Sequence, residues 1–551
     1  MAMVTATVTA MVLPMALEAI RAAAGGRQAL APSTPDQAAG NGGRKRHPGA
    51  LRSLSLLGLA VLCVTTPARA EKWQITPTVA VKETLTNNVF LAPSNPTSDS
   101  VTGITPAIAI DGTGARAKLR LNYAITEQLY ARETSSNNHQ NSLNAVGMVE
   151  AIEDFLFVDA TGRISQQYLS AFGAVSPSDA NVSNNRTETS NYSLSPYLKG
   201  RIDTWAEYLL RYRATTTSSQ SSLASGVNTS EWTGGLKGTT RLSQVTWALD
   251  AMDTHSEYSN NLNNRTYNAS RYMATVSYRF NPQIQVSLIG GQESNDYVSV
   301  SQQSNFTRGG GFDWTPDKRT ALHAFAQNRF FGTGYDVNFS HRRPLSQVTF
   351  RAKRDVSLQP SGATNTSQGT NYDAFYSIVS AANPGMAPDA IAAQVADILL
   401  QSGVPADGTV VNGYLTDRPN LQNLMQLTGA LIGVRNTVTF TATRSEQQNL
   451  SVVNGLTDNY ALPNRVLQRG YGIIWSHKLS GLSSLALSFN QQRSSNFTAN
   501  SLETETTGGY LLLSTRLGPN TSANIGARRV VSSGVSSYTE SALTGAISHR
   551  F

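Results

Sequence analysis

Apolar and polar residues alternate with a period of two over much of the chain. Between 115 and 125, Ala115, Ala117, Leu119, Leu121, Tyr123 and Ile125 alternate with Arg116, Lys118, Arg120, Asn122 and Ala124. Between 205 and 214, Ala206, Tyr208, Leu210 and Tyr212 stand opposite Glu207, Arg211 and Arg213. Between 271 and 280, Tyr272, Ala274, Val276, Tyr278 and Phe280 oppose Arg271, Thr275, Ser277 and Arg279. A helix would spread such apolar residues around its circumference, whereas a strand gathers them on one face. The pattern predicts amphipathic strands.

Turn residues divide these strands in a regular way. Tight turns are expected at Asp111-Gly112, Glu153-Asp154, Asp203-Thr204, Arg241-Leu242-Ser243, Asn281-Pro282 and 315–318. Others are expected near Arg343-Pro344, Gly433-Val434, 479–481 and Gly518-Pro519. Between them lie longer Ser/Asn-rich connections such as 133–140, 170–190 and 218–228, and only the one at Gly332-Thr333-Gly334 is short where a long one is due. Tight periplasmic turns alternating with long extracellular loops are the build of outer-membrane barrels. The expected fold is therefore all-β, a transmembrane antiparallel β-barrel of about 22 strands, give or take about two. A soluble sandwich or propeller would need polar outer faces, and here no second sheet covers the apolar ones.

One stretch breaks the alternation. After a strand at 345–358, regularity resumes only near Gln422. The insertion at 359–416 predicts one long extracellular loop with a helix at 388–401, opened by Pro388 and Asp389 and followed by Gly403. Ile391, Val395, Ile398 and Leu399 form its apolar stripe. Such a loop can fold into the lumen, cap the mouth or decorate the surface.

Composition sharpens this reading. The 551 residues are 40% hydrophobic and only 15% charged, and no uncharged apolar run of about 20 residues follows the leader, which argues against helical spans. Residues 1–70 read as a signal peptide with an extended n-region. Arg44-Lys45-Arg46 gives the positive segment, 51–66 the apolar one, and Ala68-Arg69-Ala70 the cleavage site, leaving 71–551 as the barrel. The sole cysteine, Cys63, follows the bulky Leu62 inside that leader, so neither a lipid anchor nor a disulfide is expected. Seven of the Lys/Arg residues and two of the Asp/Glu residues fall there as well, which reduces a net charge of +8 to 37 cations against 34 anions. Nothing in that balance calls for nucleic acid.

With the apolar faces toward lipid, Arg116, Lys118, Arg120, Arg211, Arg213, Arg271, Arg279, Arg351, Lys353 and Arg528 are expected to line the pore. A charge on the lipid side would cost about 2–4 kcal/mol near the midplane, which fixes the sense of the faces. A guanidinium ladder attracts carboxylate or phosphate groups; alternatively Glu207, Asp250 and Asp355 neutralise it and it stiffens the wall. No phosphate-binding glycine loop, HExxH, GxSxG or EF-hand pattern occurs. Six histidines follow the leader (His139, His255, His323, His341, His477 and His549) without metal-ligand spacing, so no catalytic residue, metal or cofactor is assigned. Asp253 with His255 is the best acid–histidine pair, and a solvated strand end is its plainer explanation. Phe551 ends the chain on the same face as Leu543, Gly545, Ile547 and His549. A terminal aromatic of this kind is the expected signal to the barrel-assembly machinery, with His549 where a large apolar residue is usual.

Several stretches carry a further likeness: WQITPTVAVKETLTNNVFLAP from Trp73, SDSVTGITPAIAI, ARAKLRLNY, EDFLFVDATGRISQQ from Glu153, GVRNTVTFTATRSEQQNLS and WSHKLSG. In this order they resemble the outer-membrane barrel proteins associated with the PEP-CTERM/exosortase sorting system and its exopolysaccharide loci. The resemblance covers most of the chain after the leader and implies a barrel working beside polysaccharide or sorting machinery, with no catalytic residues to transfer. The leading expectation is a pore for an anionic exopolysaccharide, partnered by outer-membrane lipid, the assembly machinery and periplasmic export proteins. A non-conducting scaffold or surface-binding barrel is the alternative, and an outer-membrane hydrolase the second. A TonB-dependent transporter needs an N-terminal plug domain, and strands beginning almost at Trp73 leave no room for one.

Overall fold

The computed structural model describes residues 72–551 except 222–223, 225, 241, 260–263, 300, 359–394, 396–412, 417, 451–464 and 498–501. Its first strands are β1 (Lys72–Thr86), β2 (Asp99–Thr113), β3 (Ala117–Tyr130), β4 (Asn138–Ile152), β5 (Leu156–Tyr168), β6 (Arg186–Ile202) and β7 (Ala206–Ser219). Next come β8 (Gly226–Thr239), β9 (Val245–Ser259), β10 (Asn264–Asn281), β11 (Ile284–Asn295), β12 (Gln303–Asp317), β13 (Thr320–Arg329), β14 (Gly332–Arg343) and β15 (Ser346–Ser357). The last are β16 (Asn420–Ile432), β17 (Asn436–Asn449), β18 (Arg465–Lys478), β19 (Ser483–Asn496), β20 (Glu503–Arg516), β21 (Thr521–Gly534) and β22 (Tyr538–Arg550).

Each strand pairs antiparallel with its neighbours in sequence, and β1 pairs with β22 from Thr78↔Arg550 to Thr86↔Ala542. That last pairing closes the 22-stranded sheet into a ring and removes its open edges. The tight turns fall where Asp, Asn, Gly and Pro cluster. Asp154 and Asp203 sit there at φ of 54° and 51°, a left-handed conformation that a short polar side chain tolerates.

The faces follow from the alternation. On β1, Val79, Val81 and Leu85 are exposed, while Thr84 and Thr86 on the opposite face are buried. On β10, Tyr272, Val276 and Phe280 are exposed and Tyr267, Ala269 and Ser277 buried; on β22, Leu543 and Ile547 are exposed and Glu540 and Ala542 buried. A closed barrel whose outer face carries exposed leucine, valine and aromatic side chains all round is stable only in lipid. The protein is an outer-membrane β-barrel.

The structure moves several expected boundaries. Asp111 and Gly112 belong to β2, and the turn falls at 114–116. Gly112 is there for a different reason: a Cβ on it would meet the Trp73 ring at 2.4 Å, so the ring needs that space. Arg116 consequently stands in the turn and not on the β3 strand. The β13–β14 connection is Phe330-Phe331, short as expected, and the β21–β22 connection at 535–537 is short as well. The predicted leader lies outside the described residues. So does the expected helix at 388–401, apart from Val395, which is helical and fully buried.

Candidate functional site: the barrel lumen

The inner wall has two chemically distinct arcs. Inward positions on β17 read Thr437, Thr439, Thr441, Thr443, Ser445 and Gln447, and those of the flanking strands include Gln422, Gln426 and Gln468. These positions are polar and uncharged. From β3 to β15 the inner wall carries most of the expected ladder, and β21 contributes Arg528.

The ladder is mostly paired. Arg120 meets Asp111 at 3.0 Å, Arg213 meets Glu231 at 3.5 Å and Lys353 meets Asp355 at 3.6 Å. Arg116, at the periplasmic rim, meets Glu153 at 2.5 Å. Arg211 holds Asp159 at 3.0 Å, takes in Ser195 Oγ at 3.2 Å and lies 4.0 Å over the Tyr197 ring. Register explains that cluster, because Tyr197 faces Arg211 across one strand pair and Ser195 faces Asp159 across the next. Arg528 pairs with Glu540 at 2.7 Å. Among the described residues the other four, Lys118, Arg271, Arg279 and Arg351, have no carboxylate within ion-pair distance; Arg279 donates to Gln285 at 3.4 Å. Of the expected neutralisers, Glu207 serves Arg201 and Lys237, Asp355 serves Lys353 and Arg329, and Asp250 forms no ion pair among the described residues.

Among the described residues, a segment that sequence reasoning placed outside turns inward. Residues 169–185, between β5 and β6, reach inward-facing side chains five to seven strands away around the ring. Phe172 O accepts from Thr504 Oγ1 of β20 at 3.1 Å and from Ser536 Oγ at 2.8 Å, and Val175 O accepts from Tyr538 OH. Asn181 Nδ2 donates to Asn88 O at 3.2 Å and to Glu540 Oε1 at 3.1 Å. Its Oδ1 accepts from Arg528 at 3.3 Å and from Ser176 Oγ at 2.7 Å. Glu540 also accepts from Thr86 Oγ1 at 2.8 Å. The Arg528 and Glu540 side chains are 8% and 0% exposed, so this pin is shielded from water.

Apolar contacts add to the pin. Ala180 packs among Val89, Val101 and Tyr130, Ala171 and Phe172 among Tyr414 and Val466, and Ala174 against Leu91, Val530 and Tyr538. The segment is also tied to itself. Asn185 bridges Ser170 N and O at 2.8 and 3.0 Å, and Arg186 donates to the carbonyls of Ser178 and Asn181 at 3.2 and 2.9 Å. The readable signal was its apolar content, since Leu169, Ala171, Phe172, Val175, Ala180 and Val182 are out of place in a solvated loop.

A second inward cluster joins β9, β10 and the connection after β11 to the end of β15. Tyr258, Tyr267 and Tyr297 pack with Leu421, Phe330, Phe331 and Leu358, and Tyr258 OH donates to Leu358 O. Arg329 bonds both Glu293 and Asp355, with its guanidinium 4.9 Å from the Phe331 ring centre. Neither Arg329 nor Glu293 was anticipated from the sequence.

The acid–histidine candidate lies elsewhere. Asp253 and His255 occupy the outer face of β9 at its extracellular end. His255 Nδ1 is 2.7 Å from Asn268 Oδ1 and Nε2 is 3.3 Å from Glu257 Oε1, so both ring nitrogens are engaged. Among the described residues no group of His, Cys, Asp and Glu is arranged to hold a metal ion. Phe551 stands on the outer face at the periplasmic end, its N–H donating to Pro77 O at 3.0 Å and its ring 4.8 Å from that of His549.

No family model and no curated protein matches the sequence. Among solved structures, the siderophore receptor PirA from Acinetobacter baumannii aligns at 8% identity and a TM-score of 0.46, covering 87% of this chain and 80% of that one. The FrpB iron transporter from Neisseria meningitidis aligns at 8% identity and a TM-score of 0.45, covering 86% and 82%. BauA, the ferric preacinetobactin receptor of Acinetobacter baumannii, gives 10% identity, a TM-score of 0.44 and coverage of 87% and 81%. The barrel assignment rests on the strand pairing itself.

Proposed function

We propose that this barrel is a conduit for an envelope polymer bearing acidic groups, with 169–185 as its extracellular constriction. In this reading the cargo is an exopolysaccharide, handled beside sorting machinery of the kind the sequence resembles. The observation that carries it is the unbalanced part of the ladder: Lys118, Arg271, Arg279 and Arg351 face the lumen without a carboxylate partner among the described residues. Fixed positive charge on a polar wall enriches anions, and salt weakens that enrichment because screening acts over about 8 Å at physiological ionic strength.

The test is ion selectivity in planar bilayers. Replacing those four residues by Gln should shift the reversal potential toward cations and lower secretion of an acidic polymer. Removing one balanced pair, Arg120→Gln with Asp111→Asn, should leave selectivity unchanged. Unchanged selectivity in the fourfold variant would refute the reading.

The second reading, a non-conducting scaffold, is favoured by the pairing of the other six ladder residues, and a barrel that inserts without conducting would select it. A hydrolase gains no support from an acid–histidine pair on the outer face with both ring nitrogens engaged.

A further inference from the structure

The outer face of the barrel carries a groove that plays no part in the lumen. Its lower row runs across the strands as Tyr208, Leu236, Leu249, Ala274 and Gly290, each the cross-strand partner of the next, and ends at Arg308 on β12. The row above it supplies Gly234 and Ala251, so that small residues on β8 to β11 make the floor. A Cβ on Gly290 would meet nothing within 4 Å, and one on Gly234 would meet only Ala251 Cβ, at 3.9 Å. Leu210, Leu249, Tyr272 and Phe306, all exposed, stand around this floor. The hollow holds about 650 Å³.

The row also climbs the bilayer. Tyr208 is the third residue of β7 from its periplasmic end, whereas Asn328, the partner of Arg308 on β13, is one residue short of that strand's extracellular end. The β13–β14 connection is only Phe330-Phe331, so the wall ends just above Arg308 and places it at the outer-leaflet interface. Arg308 is on the lipid side, since Thr307 beside it is fully buried and Phe306 is 73% exposed. Its guanidinium makes no ion pair or hydrogen bond among the described residues. The carboxylates of nearby strands are engaged elsewhere: Glu293 and Asp355 hold Arg329, Asp313 meets His323 on the lumen side, and Asp296 accepts from Asn268. Arg354 of β15 reaches back to Thr333 O at 2.7 Å, and Thr333 is the cross-strand partner of Asn328, so a second cation joins this rim.

A cation on the lipid face is costly away from the interface, and at the interface it draws an anionic headgroup. An unfilled hollow forfeits the contacts of the side chains that line it. We propose that this groove binds one membrane lipid with an anionic phosphate headgroup. Its phosphate sits on the Arg308 guanidinium, whose planar fork matches phosphate oxygens. One acyl chain lies over Gly290, Ala274, Ala251 and Gly234, a path of three strand spacings or about 14 Å. The site is independent of whether the lumen conducts.

Native mass spectrometry of the full barrel, released from detergent with added dimyristoylphosphatidylglycerol, should show one retained lipid. Arg308→Gln should weaken that retention about tenfold or more, the effect of losing a hydrogen bond to a charged group. Gly290→Leu fills the floor at a position with open space and should abolish retention while the heat-modifiable barrel still forms. Dimyristoylphosphatidylcholine, with the same chains and no net charge, should bind more weakly and be indifferent to Arg308→Gln. Equal retention of phosphatidylglycerol by the native barrel and both variants would mark it as unselective boundary lipid and overturn the site. A dimer that Gly290→Leu disrupts, with no lipid retained, would give the groove to a second copy of the chain and overturn it as well.

Discussion

Replacing Glu540 by Ala should release the constriction while the barrel stays closed. Glu540 is fully buried and joins Arg528, Thr86 and Asn181, but only Asn181 belongs to the 169–185 segment. Losing a hydrogen bond to a charged group costs roughly 1.5–3 kcal/mol. At about 1.4 kcal/mol per tenfold, that moves the released-to-seated ratio of the segment by roughly 10- to 150-fold. Removing one partner of a buried ion pair costs about 3–5 kcal/mol in all. The part beyond the Asn181 contact falls on the wall, where Arg528 is left unpaired. The twelve cross-strand partners between β21 and β22 hold that wall in place. Seated contacts at Phe172 and Val175 remain, so the segment should exchange between states and not be lost. Single-channel recording should show new, longer openings, and backbone amides of 169–185 should exchange hydrogen faster. Asn181→Ala, which leaves the ion pair intact but removes the segment's bonds to Asn88 O, Glu540 and Arg528, should release the segment at least as far. If Glu540→Ala changes neither conductance nor exchange, the segment is not held by this pin.

Two further outcomes follow from local geometry. Deleting Phe551 removes the bond to Pro77 O and the contact with the His549 ring, and should sharply lower the yield of heat-modifiable barrel in outer-membrane fractions; undiminished yield would show that the terminal aromatic is not read during assembly. Gly534→Val would put a Cβ 2.1 Å from Glu503 O at a φ of +95°, so the variant should lose at least about 1–3 kcal/mol. Its transition on heated gels should fall accordingly, and an unchanged transition would mean the turn relaxes freely.

The fold was legible because a membrane barrel writes its faces directly into the sequence. Tyr272, Val276 and Phe280 cannot face an aqueous lumen while Arg271 and Arg279 face lipid, so period-two alternation fixed both strand and side. The tight turns were legible from Asp, Gly and Pro, with one instructive miss: Gly112 makes room for Trp73, a cross-strand contact that no local pattern records. The interior was less readable. Arg211 could be placed inward, but its partner Asp159 is 52 residues away and becomes a neighbour only through the β5–β6–β7 register. The pin is still more remote, with Asn181 and Glu540 separated by 359 positions. Long loops looked extracellular because polar residues dominate them, and the apolar residues of 169–182, Phe172 and Ala180 among them, were the hint that one turns inward.

The seam between β1 and β22 has a kinetic consequence. Its nine partnered residues, Thr78–Thr86 against Ala542–Arg550, join the first described strand to the last. The hydrogen-bonding edge of β1 therefore stays unsatisfied through synthesis, export and insertion until the final strand arrives. Every chain must pass through a state with two open edges, and any chain truncated before Tyr538 stays there. Closure thus waits on β22: a polypeptide ending before Tyr538 keeps the backbone edge of β1 unpaired and open to wrong pairing.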